Sequence, residues 1–309
     1  MTAALNLDAP PSATDGRPVR KLGLRKFDMS KVRDDSVVIM LGKRNTGKSF
    51  LIRDLLYHKR EFPIGTVISG TEGANSFYSK HVPSLFIHEE FNSNILANVL
   101  KRQQLLTKHI AKEVEVKGRS DLDRRTFVLM DDCLYDNKWV SDKYVRSLFM
   151  NGRHYGLLYI IALQYVMGIP PQLRANVDLV FILRENNVQN RRRIFEQYAG
   201  VFPDFESFCQ VMDQCTNDYE LLVIDNTCRS NRIEDMVFWY KAAPHPDFRI
   251  GAREYWLRSE ELDRQREVAE AAAEAATGGG GGSRGGGMDA GLTASRKPNV
   301  PVIQVNKQY

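Results

Sequence analysis

The sequence has no apolar run long enough to cross a bilayer. Its longest, GLLYIIAL (Gly156 to Leu163), falls well short of the roughly 18 residues a spanning helix needs. Membrane insertion is therefore not expected. The amino terminus, MTAALNLDAPPSATDGRPVR, lacks a basic start followed by an apolar core and does not read as a secretory signal. Cysteine is scarce. The four present (Cys133, Cys209, Cys215, Cys228) form no C-x-x-C pair and have no histidine at zinc spacing, which points to free thiols in a reducing compartment. Charge imbalance is slight, and a net charge of +5 permits a polyanionic partner without demanding one. Also missing is a guanine-reading N-K-x-D element: Asn137–Lys138 continues into Trp139–Val140, which disfavours a guanine-specific switch.

What the chain does have is ample core material. With 43% hydrophobic and 26% charged residues over 309 positions, it reads as a soluble globular protein of one large or two small domains. Composition divides it. Residues 1–30 are rich in Pro, Ala, Ser and Asp without a sustained period and read as a flexible arm. From 31 to 250, short apolar runs alternate with helical patterns; candidate strands are 36–41, 65–70, 84–88, 126–131, 157–163, 178–183 and 219–225. Nearly continuous apolar runs separated by helices predict an α/β domain with a parallel sheet covered on both faces. Residues 251–277 include RSEELDRQREVAEAAAEAA, a strong helix former. Eight of the 22 glycines fall between 278 and 287, so 278–309 reads as a Gly-rich linker and flexible tail, with the final PNVPVIQV taken as a disordered end rather than a docking peptide.

The strongest local signal is GKRNTGKS (Gly42 to Ser49), which follows the apolar run VVIML and precedes a plausible helix, FLIRDLLYH (50–58). It fits the phosphate-loop pattern G-x-x-x-x-G-K-[ST]. Gly42 and Gly47 let the backbone turn tightly, and Lys43, Arg44, Asn45 and Thr46 supply loop N–H donors for phosphate oxygens. Lys48 can reach the β- and γ-phosphates, and Ser49 can ligate Mg²⁺. An acidic element follows in TFVLMDD (126–132): Asp131 is the metal-side acid and Asp132 the group that polarises water. Gln164 ends the run LYIIALQ, where a strand gives way to a loop and an amide could report the γ-phosphate. Two candidate strands lie between the phosphate loop and Asp131, so the acidic strand is not simply the next one in the chain.

The series VVIMLGKRNTGKS, TFVLMDDC, FMNGRHYGLLYIIALQ and PPQLRANVDLVFILRE resembles the poxvirus-type genome-packaging ATPases of large nucleocytoplasmic DNA viruses, within the FtsK/HerA superfamily, over residues 33–230. The resemblance implies a P-loop NTPase of RecA-like type, a three-layer α/β/α sandwich with a mostly parallel central sheet. It also implies a homo-oligomeric ring that uses ATP and Mg²⁺ to pump double-stranded DNA into a capsid through a capsid or portal component, in the host cytoplasm or the virion. Carried over, Lys48 and Ser49 contact phosphate and metal, Asp131 is the metal-side acid, Asp132 the catalytic acid and Gln164 the sensor. Members of the family often have Glu where Asp132 stands. Rings of this kind complete the site with an arginine from a neighbour; Arg153 in NGRHYG is the first choice by resemblance and Arg174 in PPQLRAN the second.

Other features are weaker. Arg191, Arg192 and Arg193, with Lys117, Arg119, Arg124 and Arg125, form basic clusters that could neutralise DNA phosphates, although charge runs are usually solvated faces. His154 has no partner at ligand spacing, and Phe202, Phe205 and Phe208 recur at helical spacing as a core face. Two other readings compete with the motor: a nucleoside or nucleotide kinase, for which no acceptor lid is evident, and an assembly protein that binds ATP without turning it over.

Overall fold

The fold, taken from a computed structural model, is described for residues 19–133, 137–166, 169–276 and 302–308. Ten strands form one sheet: β1 (Val19–Lys26), β2 (Val37–Leu41), β3 (Gly65–Ser69), β4 (Ile87–His88), β5 (Thr126–Asp131), β6 (Leu157–Leu163), β7 (Leu179–Ile182), β8 (Glu220–Asp225), β9 (Val237–Lys241) and β10 (Val302–Gln308). Their order is β10-β1-β9-β8-β7-β2-β6-β5-β3-β4. Every neighbouring pair is parallel except the two made by β8. The helices are α1 (Lys48–His58), α2 (Glu72–Asn75), α3 (Ser93–Lys117), α4 (Lys143–Asn151), α5 (Pro171–Arg174), α6 (Val188–Tyr198), α7 (Phe205–Cys215), α8 (Ile233–Met236) and α9 (Arg253–Ala276). Among the described residues no helix is long and apolar enough to cross a membrane.

Strand periodicity explains the layers. In β2, Val37, Ile39 and Leu41 join a core with Leu96 of α3, Leu148 of α4, Ile194 of α6 and Phe208 of α7. The alternate residues Val38 and Met40 join the opposite core, with Leu51, Ile52 and Leu55 of α1. A strand covered on both sides has no use for polar residues, hence the unbroken apolar runs of β2, β5 and β6. Each Leu or Ile so buried contributes about 1.5–3 kcal/mol. Polar caps set the helix starts: Asp142 accepts from Tyr144 N and Val145 N, Asp204 from Ser207 N and Asn187 from Asn190 N. Phe202 and Phe208 are buried and Phe205 packs partly against them, as the helical spacing predicts.

Three expectations need correction. The arm assigned to 1–30 is structured from residue 19, because Leu22 and Leu24 alternate into the core and β1 pairs with β9; Phe27 and Met29 are buried too. Residues 1–18 lie outside the described residues. In the tail, Val302–Gln308 is strand β10, parallel to β1 from Val19↔Val302 to Arg25↔Gln308. The Gly-rich stretch lies outside the described residues. The candidate strand at 84–88 is mostly a 3₁₀ turn, Ser84–Phe86, set by Pro83, and only Ile87–His88 pairs, at the sheet edge. There α9 docks through Ser259, whose hydroxyl accepts from Leu85 N at 2.9 Å. The strand β9 (VFWYK) had no counterpart among the expected strands.

Candidate functional site

Parallel register brings the sequence motifs into one row. Leu41 of β2 stands beside Leu163 of β6, and Asp131 of β5 stands beside Ala162. The residues that follow these strands, Gly42, Gln164 and Asp132, therefore meet at the carboxyl edge of the sheet. The strand of the acids is not the spatial neighbour of the phosphate-loop strand: β6 lies between them, whereas β3 and β4, which intervene along the chain, lie on the far side of β5. Because β8 runs the other way, its first residues and the end of β9 reach the same edge. Together they wall a cleft of about 790 Å³ whose lining includes Asn45, Lys48, Ser49, Asp132, Gln164 and Tyr219.

The loop's glycines answer to steric demands. Gly42 donates its N–H to Leu163 O at 2.9 Å, and a Cβ there would lie 2.8 Å from Thr46 Oγ1 and 3.0 Å from Leu183 Cβ. Gly47 has φ 97°, in the left-handed region, and caps α1, whose free N–H groups open on the cleft. Within the loop, Thr46 Oγ1 donates to Lys43 O at 2.7 Å, while Lys43 Nζ pairs with Glu185 at 2.6 Å. Arg44, Asn45 and Ser49 are exposed to the cleft.

Lys48 is buried between the two acids, its Nζ 2.8 Å from Asp132 Oδ1 and 3.2 Å from Asp131 Oδ1. Gln164 Nε2 donates to the other Asp132 oxygen at 2.6 Å. Asp131 Oδ2 accepts from the Tyr78 hydroxyl at 2.6 Å, but its buried Oδ1 makes no aligned hydrogen bond despite the nearby ammonium. Burial pushes the Asp131 carboxyl above its usual range, with Lys48 and the Tyr78 hydroxyl opposing it. Burial and Asp131 push the Tyr78 phenol well above its ordinary value, so it remains a donor. A buried carboxylate oxygen without an aligned donor, and a serine hydroxyl exposed at the head of α1, are oxygen ligands of the kind a hard divalent cation takes, and Asp131 and Ser49 fit Mg²⁺ on that ground.

Several contributors carry no motif in the sequence. Gly70 makes room for Asp132, which sits at φ 49°; a Cβ on Gly70 would lie 2.9 Å from Asp132 O. Tyr78 is supported by Glu72, which accepts from Tyr78 N and Ser79 N at 2.9 and 2.8 Å. Tyr219, itself at φ 62°, lays its ring over Gly47. These meet the loop only through tertiary structure.

Arg153 and Arg174 are not brought to the cleft of the same chain. Arg153 lies in the turn before β6, at the amino edge of the sheet, and donates to Asp178 Oδ1 at 2.9 Å. Arg174 donates to Ile169 O at 2.6 Å within the β6–β7 crossover. The basic clusters are partly neutralised: Arg191 pairs with Asp213, Arg125 with Asp123 and Lys117 with Glu113. Lys117, Arg119, Arg124, Arg192, Arg193 and His154 are exposed. All four cysteines are free, and burial pushes Cys133 and Cys215 up to about 12, which favours the neutral thiol there.

The chain is 39% identical over 237 residues to protein L437 of Acanthamoeba polyphaga mimivirus, covering 76% of this chain and 82% of that one. It is 43% identical over 224 residues to protein 075L of Invertebrate iridescent virus 6, covering 71% and 83%. The chain belongs to this family of large-DNA-virus proteins. No family model matches the chain. Among solved structures it is similar to the genome packaging NTPase B204 of Sulfolobus turreted icosahedral virus 2, at 18% identity and TM-score 0.47 over 69% of this chain and all of that one. It is also similar to the conjugation coupling protein TcpA of pCW3, at 13% identity and TM-score 0.45 over 78% and 66%.

Proposed function

We propose that the protein is an ATP-hydrolysing motor that moves double-stranded DNA, packaging a viral genome into its capsid. The observation that carries this reading is the convergence of Lys48, Asp131, Asp132 and Gln164 at the carboxyl ends of three adjacent strands. The triphosphate lies along Gly42 to Ser49, against the N–H groups of the loop and the first turn of α1. The base and sugar lie toward Phe50, Tyr219 and Pro244, the apolar part of the cleft wall. Ser49 and Asp131 would hold Mg²⁺, which when bound would neutralise charge developing on the phosphates.

Lys48 has two partners to choose between. Its ammonium lies against both Asp131 and Asp132; phosphate oxygens would draw it forward and free Asp132 to orient and polarise the attacking water. Gln164 holds the Asp132 carboxylate and senses whether the γ-phosphate is present. An arginine from a neighbouring subunit, Arg153 or Arg174, completes the charge stabilisation in a homo-oligomeric ring. Exposed Arg192, Arg193, Lys117 and Arg119 offer sequence-independent contacts to DNA phosphates. The motif series quoted above supports assignment to genome packaging, with work at a capsid or portal component in the host cytoplasm or the virion.

The test is the ATPase rate with and without duplex DNA, alongside the mass of the assembly. DNA-stimulated hydrolysis by a ring is expected. A monomer whose hydrolysis ignores DNA overturns the motor reading, and transfer of phosphate to a nucleoside would replace it with a kinase.

A further inference from the structure

The helix that begins at the phosphate loop carries a second polar cluster on its far half. Asp54 of α1 is wholly buried, and its two oxygens have different company. The Tyr240 hydroxyl donates to Oδ2 at 2.5 Å, and Ala243 N donates to the same oxygen at 3.1 Å. Around Oδ1 stand two imidazoles, with His245 Nε2 at 2.5 Å and His58 Nε2 at 3.6 Å. One atom from each of the three residues lies within 4.8 Å of the others.

We propose that Asp54, His58 and His245 form a site for one divalent cation of the zinc class, with a fourth position open to water. Two imidazole nitrogens and one carboxylate oxygen are a donor set that zinc accepts, whereas Mg²⁺ and Ca²⁺ prefer oxygen alone. Asp54 and His58 stand four residues apart, hence on one face of α1. The supporting contacts fall on the other oxygen: Tyr240 and Ala243 occupy Oδ2, leaving Oδ1 to the two imidazoles, and the Tyr57 ring stacks on His245 at 3.9 Å and 10°, fixing its plane. Zinc bonds of about 2.0–2.1 Å would be reached by shifts on the order of 1 Å, with His245 drawing back from the carboxylate to admit the ion. The two imidazoles are 27% and 12% exposed, which gives the ion a way in and a water its place.

The position gives such an ion a consequence. It would clamp α1 to the segment after β9, whose Ala242 and Pro244 form part of the nucleotide cleft wall. The site shares no residue with the ATP machinery, so either reading can fail alone.

The full chain, stripped with a chelator and returned to buffer with excess Mg²⁺, is titrated with Zn²⁺ against a chromophoric competitor. One equivalent of tight binding is expected in the parent. His245→Asn, which keeps a donor for Asp54, and His58→Gln, at a part-exposed position, are each expected to weaken it at least about 10-fold. Asp131→Asn is expected to keep it. Absence of tight Zn²⁺ binding in the parent, or unchanged binding in both folded histidine variants, overturns the proposal. Zinc-edge X-ray absorption of the loaded parent needs no variant to fold: two imidazoles in the coordination shell support the site, and a shell of oxygens alone contradicts it.

Discussion

Two buried aspartates at opposite edges of the parallel sheet differ in how fully the fold satisfies their carboxylates. Asp178, at the amino edge, has both oxygens engaged: Val37 N donates to Oδ2 at 2.8 Å and Arg153 donates to Oδ1 at 2.9 Å. Asp131, at the carboxyl edge, has one oxygen held by Tyr78 and the other buried without an aligned donor, 3.2 Å from the Lys48 ammonium. The first is satisfied within the fold and joins the start of β2 to the turn before β6. The second has its desolvation only partly offset, by Lys48 and Tyr78, at a place where a further cation can supply the missing interaction. Their cations differ likewise. Arg153 is half-exposed and pairs with Asp178, whereas Lys48 is buried between two acids, a place from which the proposed mechanism has phosphate draw it.

That contrast can be broken in several places. The largest effect is expected from Lys48→Ala, which removes the mobile cation and should lower ATP hydrolysis by at least about 100-fold, read as steady-state phosphate release. Tyr78→Phe should be smaller. It strips Asp131 of its one aligned donor, so hydrolysis should fall about 10-fold and stability by about 1–3 kcal/mol, measured by urea denaturation. For Asp178→Asn the two readouts should separate: the urea midpoint drops, by about 1–2 kcal/mol in stability, while ATP affinity measured by calorimetry stays unchanged. An affinity loss matching that of a phosphate-loop variant would erase the distinction between the two edges.

The smallest effect concerns pH. Burial lowers the pKa of His81 and His88 below the ordinary histidine value. As pH falls through about 6.5, the unfolded chain takes up protons at these positions before the folded chain does. Stability from this source is therefore full above that value and declines as pH drops toward the folded pKa values. The urea midpoint should be lower at pH 5.5 than at pH 7.5, and His81→Gln with His88→Gln should flatten the slope.

Much of the catalytic edge was legible because its chemistry is contiguous. GKRNTGKS, TFVLMDD and Gln164 each end or follow a strand whose two buried faces force an unbroken apolar run, so strand and motif reinforce each other. The supporting residues were not legible. Tyr78, Gly70 and Tyr219 act through neighbours far off in the chain, and neither a tyrosine nor a glycine in a loop announces such a contact. The strands at the β10 end of the sheet were harder still. In β1 Leu22 and Leu24 face the core while the charged residues around them (VRKLGLRK) resemble those of a flexible segment, and in β10 Val305 packs against the core between the exposed Gln304 and Asn306. Arg153 illustrates another limit: its place in the chain suggested a role at a phosphate, yet within one subunit its partner is Asp178.

The central claim is that Asp132 activates water for attack on ATP, and single-turnover hydrolysis by the parent and Asp132→Asn tests it most directly. The isosteric amide keeps a group for Lys48 and Gln164 to hold but has lost the charge that polarises water. The account predicts a rate lower by at least about 100-fold with ATP affinity changed less than about 3-fold; hydrolysis at the parental rate would contradict it.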